Sequence, residues 1–287
     1  MKSNHQNSSR GRSIGAILVD NGILSTADAE QVLIEQKKSN LRFGDAAIRL
    51  GLLTTQDIQF ALAHQFNYPY LAKGNASISE EITAAFNPFS PVVEQLRALR
   101  TQLMLRWFDT DAMRKSLAIV SLDSGEGRSY IASNLAVVFS QLGERTLLID
   151  ADLRNPCQHK LFKVSNGSGL SSVLSGRATP HDVVIKVESM RGLSLLPAGA
   201  TPPNPQELLG REIFQGMLAQ AAKAFDVIII DTAAASLSAD AQMIAARAGA
   251  SLLVARNNLT PAAELQNLAT NLQNSNVTIV GSLLNDF

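Results

Sequence analysis

The sequence predicts an α/β protein: a mainly parallel sheet with helices on both faces, preceded by a small, mostly helical repeat domain. Three observations carry this. Short apolar runs alternate with helical stretches after Pro91. A glycine turn, SLDSGEGRSY at 121–130, joins one such run to a helix. Near the front, residues 13–36 and 42–65 repeat one another.

The bulk properties set the frame. The chain has 287 residues, 46% hydrophobic and 17% charged, enough for one large or two modest packed domains. A formal net charge of zero argues against nucleic acid or an anionic membrane as an electrostatic partner. Cys157 is the one cysteine, which excludes an internal disulfide and any multi-cysteine zinc site. No uncharged apolar run reaches about eighteen residues, so no transmembrane segment is expected. The start, MKSNHQNSSRGRS, lacks the apolar stretch of a secretory signal. Residues 1–11 read as a flexible tail, and a cytoplasmic, soluble protein is expected.

In the front repeat, Gly15 matches Gly44, Gly22 matches Gly51, Leu24 matches Leu53, Leu33 matches Leu62 and Gln36 matches Gln65. Each copy reads as a short helix, a glycine stop and a longer helix. Ser25 and Thr54 stand where a side-chain oxygen can cap the longer helix. Ala29, Val32 and Leu33 in one copy, and Ile58, Ala61 and Leu62 in the other, recur at helical spacing. A helical hairpin repeat with C-capping glycines and a leucine core accounts for the pattern. The pair also resembles the MshEN domain of type II secretion and pilus ATPases. That resemblance implies cyclic di-GMP binding, through Arg12, Gly15, Gly22 and Gln36 in the first copy and Arg42, Gly44, Gly51 and Gln65 in the second. An arginine fork suits a guanine edge, and a glycine lets backbone approach a phosphate. Ser13 stands where the family has arginine, and Ala29 and Ala47 replace leucines. A domain that keeps only its packing role is the other reading. The repeat domain spans 12–75, and 76–90, with Pro88 and several polar residues, reads as a linker.

Residues 91–287 form the α/β part. The helix-like stretch after Pro91 has apolar residues at Val93, Leu96, Leu99, Leu103 and Trp107. Expected strands are 116–122, 145–152, 193–199, 226–232, 250–256 and 277–284. Most are apolar at consecutive positions, which fits strands covered on both faces. The first runs into the glycine turn, whose backbone N–H groups and following helix would cradle phosphate oxygens, with Ser129 placed to reach Mg²⁺. Asp150, Asp152 and Asp231 stand at the ends of two further strands, where open α/β sheets bind ligands and carboxylates can hold Mg²⁺.

The set E-x-x-R-x-x-R (Glu94, Arg97, Arg100), S-x-x-x-G-E-G-R-S, L-I-D-A-D-L-R-N-P and I-I-I-D-T resembles the bacterial tyrosine kinase family, nearest its chain-length-determinant EpsG group. The resemblance implies a P-loop NTPase-type fold, ATP/ADP and Mg²⁺, and control of exopolysaccharide chain length and export. It places Ser124, Gly125, Glu126, Gly127, Arg128, Ser129 and Tyr130 in the phosphate loop and Arg154 in the second acidic motif. Asp150 would contact Mg²⁺ and help activate a tyrosine hydroxyl, Asp152 would support the metal shell, and Asp231 would hold Mg²⁺ through water. Glu94, Arg97 and Arg100 would join subunits of a homo-oligomer, and a separate membrane chain-length-determinant protein would be the partner. Arg128 replaces the family's lysine, Ala233 its proline, and the only tyrosines are Tyr68, Tyr70 and Tyr130. These departures leave two readings: an active kinase or ATPase, and a nucleotide-responsive regulator. On the residues alone, Tyr130 and Cys157 read as packing, and Tyr68 and Tyr70 as a buried pair.

Overall fold

A computed structural model describes residues 12–66, 68–71 and 74–286; the tail expected at 1–11 lies outside them. The chain divides into two compact units, residues 1–72 and 73–287.

The first unit holds α1 (Ile14–Asp20), α2 (Thr26–Ser39), α3 (Phe43–Arg49) and α4 (Thr55–Gln65). The caps are as expected: Ser25 Oγ accepts from Asp28 N at 3.0 Å, and Thr54 closes a capping box with Asp57. Gly22 and Gly51 both take φ +70°, the left-handed conformation that ends each short helix without a Cβ clash. The two copies interlock, α1 packing on α4 and α2 on α3. Their shared core is Ile17, Leu18, Leu24, Val32, Ala46, Ala47, Leu53 and Ala61. Leu33, expected in the core, is 48% exposed, because Val32 takes the inward position one step round the helix. Tyr68 and Tyr70 are half-buried rather than buried, with the Tyr70 ring edge-on to Phe60.

The second unit begins with α5 (Thr83–Phe86), α6 (Pro91–Arg106), β1 (Ser116–Ser121), α7 (Arg128–Leu142) and β2 (Thr146–Asp150). It continues through α8 (Gln158–Leu161), α9 (Leu170–Leu174), α10 (Pro180–Val183), β3 (Ile185–Lys186), β4 (Leu193–Leu196), α11 (Pro205–Leu209) and α12 (Glu212–Ala224). It closes with β5 (Val227–Asp231), α13 (Asp240–Ala248), β6 (Ala250–Arg256), α14 (Ala262–Asn274) and β7 (Thr278–Asn285). The sheet order is β3-β4-β2-β5-β1-β6-β7, parallel throughout except for the antiparallel edge pair β3–β4. Every residue of β1, β2, β4 and β5 is buried, as strands sandwiched between helix layers require. The chain leaves β1 for β2 on one side of β5, while β6 lies on the other side of β1. That reversal opens a crevice at the carboxyl ends of β1, β2 and β5.

The linker expected at 76–90 is part of this second unit. Ile78, Ile82, Ala84, Ala85 and Phe86 are buried, Ala84 N donates to Asn134 Oδ1 at 2.8 Å, and Gln141 Nε2 donates to Ala84 O at 2.9 Å. Its polar residues mark the turns around a short buried helix, not a free connector.

Candidate functional site

The glycine turn leaves β1 and enters α7. Gly125 (φ +80°) and Gly127 (φ +93°) take left-handed backbone, which a side chain would strain. Ser124 and Gly125 are exposed, whereas Glu126 is fully buried. Asp150 ends β2, Asp231 ends β5, and the two are direct neighbours across the parallel pair.

Both carboxylates are fully buried and half satisfied. Asp150 Oδ2 accepts from Cys157 N at 3.1 Å and Gln158 N at 3.0 Å, and Asp231 Oδ2 accepts from Gln158 Nε2 at 2.7 Å. Asp150 Oδ1 and Asp231 Oδ1 are buried without a hydrogen-bond partner. Burial, and then repulsion from Asp231, pushes the Asp150 carboxyl well above its ordinary range. Burial raises Asp231 too, against the pull of Arg128 and bonds from Gln158 and Ser129. Two orphaned carboxylate oxygens from neighbouring strand ends, with the Ser129 hydroxyl against Asp231, fit a hard divalent cation. Among the described residues no three His, Cys, Asp or Glu side chains form a self-sufficient metal cluster. A cation here would draw its remaining ligands from phosphate and water, as Mg²⁺ does.

Asp152 is tied up locally, Oδ1 accepting from Arg154 N at 3.1 Å and Asn155 N at 2.8 Å. It shapes the turn after β2 and adds negative charge beside Asp150. Three side chains assigned to the nucleotide site bond within the protein itself. Arg128 does not extend along the loop: Nε donates to Thr232 O at 2.8 Å, and Nη1 to Asp123 O at 3.0 Å and to Ser121 Oγ. The planar guanidinium finds these acceptors at the ends of β1 and β5, so it braces the strands beneath the loop. Tyr130 is turned away from the loop, its hydroxyl donating to Thr83 Oγ1 at 3.0 Å. Arg154 pairs with the buried Asp240 at the start of α13, Nε to Oδ2 at 2.7 Å. Its guanidinium therefore clamps the acidic turn to α13 instead of reaching into the crevice.

Gln158 was missed by sequence reading. Its side chain links Asp231 to Ser129 O at 3.1 Å, spanning β5 and α7. It stands eight residues beyond Asp150, in a four-residue helix with no periodicity to mark it. Cys157 packs beside Ser129, and burial first, then Asp231, pushes its thiol up to about 12. It is a poor nucleophile there.

Of the oligomer trio, Glu94 and Arg97 pair on α6 at 2.9 Å, and Arg100 Nη1 donates to Val138 O on α7 at 2.6 Å. In the repeat unit, Arg12 pairs with Asp20 at 2.9 Å, and Gln65 Nε2 donates to Arg12 O at 3.2 Å. A Cβ on Gly15 would lie 3.0 Å from the Phe43 ring, and one on Gly44 would lie 3.1 Å from Ile58, so both glycines have packing reasons. Arg42 is exposed, and the space around Gly22 and Gly51 is open. Gln36 is half-buried on α2.

Residues 114–278 match the family described as AAA domain. The tyrosine-protein kinase YwqD of Bacillus subtilis is 35% identical over 208 residues, 72% of this chain and 86% of that protein. The tyrosine-protein kinase etk of Escherichia coli K12 is 37% identical over 202 residues, 70% of this chain but 27% of that longer protein. The solved kinase domain of E. coli ETK superposes with a TM-score of 0.68 at 35% identity, over 71% of this chain and 79% of that domain.

Proposed function

The chain belongs to the AAA-domain family and, within it, to the bacterial tyrosine-protein kinases; from that premise we propose that it binds Mg·ATP between the 121–129 loop and the Asp150–Asp231 pair. It serves as a tyrosine kinase-like ATPase in the control of exopolysaccharide chain length and export. The observation that carries this is the pair of buried, partnerless oxygens, Asp150 Oδ1 and Asp231 Oδ1, on adjacent strands. Leaving such atoms unpaired is costly, and a site that receives a cation with its nucleotide recovers the cost.

Mg²⁺ held by Asp150, Asp231 and Ser129 would neutralise charge on the transferred phosphoryl group. The chain's own part is positioning. Loop N–H groups and the start of α7 face the phosphates. Gln158 fixes Asp231 against α7, and the Arg154–Asp240 clamp holds the acidic turn. Asp150, at the cation, is the residue placed to help activate the attacking hydroxyl. Tyr130, engaged by Thr83, is a poor acceptor, so the phosphorylated tyrosine belongs to Tyr68, Tyr70 or another protein. Incubation with Mg·ATP should yield phosphotyrosine or released phosphate, and Asp150→Ala should abolish it. No turnover, with or without a membrane chain-length-determinant protein, defeats the kinase reading.

The regulator reading draws on Arg128, whose Nε and Nη1 donate to the chain's own acceptors. It predicts nucleotide binding with slow or no transfer. In this reading the chain acts at the cytoplasmic face through a homo-oligomer using Glu94, Arg97 and Arg100. Cyclic di-GMP binding by the repeat unit is its second half, supported by exposed Arg42 and the open space around Gly22 and Gly51. Calorimetric titration with cyclic di-GMP, on the wild type and Arg42→Ala, decides that half; an absent or mutation-insensitive signal removes it.

A further inference from the structure

One buried residue, Glu126, laces the phosphate loop to the β6–α14 connection through its carboxylate and to the end of β7 through its carbonyl. Glu126 Oε2 accepts from Asp123 N at 2.9 Å, closing a ring inside the loop. Its Oε1 accepts from Thr260 Oγ1, in the connection between β6 and α14. Thr260 Oγ1 accepts in turn from Arg256 N at 2.8 Å, so that hydroxyl is used as both donor and acceptor. Asn285 Nδ2, at the end of β7, donates to Glu126 O at 3.1 Å, and Arg256 Nη1 donates to Gly125 O at 3.2 Å. Asn257 N completes the bracket by donating to Asn285 O at 2.8 Å.

A loop with two left-handed glycines has little conformational preference of its own. Phosphate oxygens can organise such a loop only when nucleotide is present. A carboxylate from inside the loop can organise it beforehand. Negative charge beside a phosphate site opposes anion binding, so a packing role alone gives no reason for Glu126 to be ionisable. Its bonds to Asp123 and Thr260 give one.

We infer that Glu126 is the positioning residue of the phosphate loop, anchored by Thr260 and Asn285, and that it holds the loop in its phosphate-ready shape before nucleotide arrives. The β6–α14 connection and the end of β7 thereby set nucleotide affinity without touching nucleotide. The inference rests on the nucleotide reading of this loop.

The test uses the full chain. Thr260→Val removes the hydroxyl and leaves the Glu126 side chain in place; Thr260→Ser restores the hydroxyl. Amide hydrogen exchange of residues 121–130, without nucleotide, should be at least fivefold faster in Thr260→Val and return to the wild-type rate in Thr260→Ser. Mg·ADP affinity, by calorimetry, should fall about tenfold in the first and recover in the second. Asn285→Ala is the independent variant should Thr260→Val unfold, and it should shift both readouts the same way. Wild-type exchange in Thr260→Val or Asn285→Ala overturns the inference, as does unchanged or tighter Mg·ADP binding. If the wild type binds no Mg·ADP, the nucleotide reading fails, and the exchange measurement still decides whether Glu126 orders the loop.

Discussion

Replacing Asp150 by asparagine should stabilise the metal-free protein while removing its affinity for Mg·nucleotide. Asp150 and Asp231 are register neighbours on adjacent strands, which stand about 4.8 Å apart. Two ionised carboxylates at about 5 Å repel by about 3 kcal/mol at an effective dielectric constant of about 20. Asp150, raised by burial, keeps part of its proton and so part of this repulsion is already avoided, which leaves a net relief of about 1–2 kcal/mol. The asparagine oxygen can still accept from the Cys157 and Gln158 amides, and its NH₂ can meet the partnerless Asp231 Oδ1. For a unit of this size the gain corresponds to a melting temperature about 5 °C higher. The pH dependence sharpens the test. Both folded-state pKa values lie above the ordinary 3.8, so the folded chain keeps protons that the unfolded chain releases. Stability from the protonated pair is complete below about pH 3.8. It is lost as pH rises through the raised folded values. Melting curves from pH 4.5 to 8 in EDTA should therefore fall more steeply for the wild type than for Asp150→Asn. A variant that melts lower than the wild type at pH 7.5, or binds Mg·ADP as tightly, refutes the reasoning.

Arg128→Lys gives up the fork that spans Thr232 O, Asp123 O and Ser121 Oγ but offers a compact charge to phosphates. Mg·ATP turnover should rise about tenfold while melting drops a few degrees; an unchanged melting temperature counts against the bracing role, and unchanged or slower turnover against the compact-charge argument. Arg154→Ala strands the buried Asp240, whose side chain is 1% exposed, and should cost about 1–3 kcal/mol by urea unfolding, less than a fully buried pair because Arg154 is partly solvated. Gly169→Ala would put a Cβ 2.1 Å from Pro197 O, against backbone that cannot yield, and should cost about 3 kcal/mol by the same measurement. A loss under 1 kcal/mol would mean that the 165–171 and 197–199 segments separate easily.

Six strands were legible because most of their apolar runs are continuous, β2 and β5 also ending in aspartates, and the repeat helices because Ser25 and Thr54 announce them; the two-residue β3 was not. The short helices Gln158–Leu161, Leu170–Leu174 and Pro180–Val183 were not, since one turn of helix shows no period. The same limit hid Gln158. Arg128, Tyr130 and Arg154 were placed near the nucleotide by motif position, which fixes a Cα and not the direction of a long side chain. Their acceptors, Thr232 O, Thr83 Oγ1 and Asp240, come from residues 104, 47 and 86 positions away, which only the fold brings close. In 76–90 the polar residues outweighed Ile78, Ile82 and Phe86, whose burial depends on α7 being there to cover them.

Calorimetric titration of the wild-type chain with ADP, in Mg²⁺ and again in EDTA, tests the central claim most directly. The account predicts saturable one-site binding in Mg²⁺, weakened at least tenfold in EDTA. No binding at millimolar ADP, with no rise in melting temperature, would contradict it.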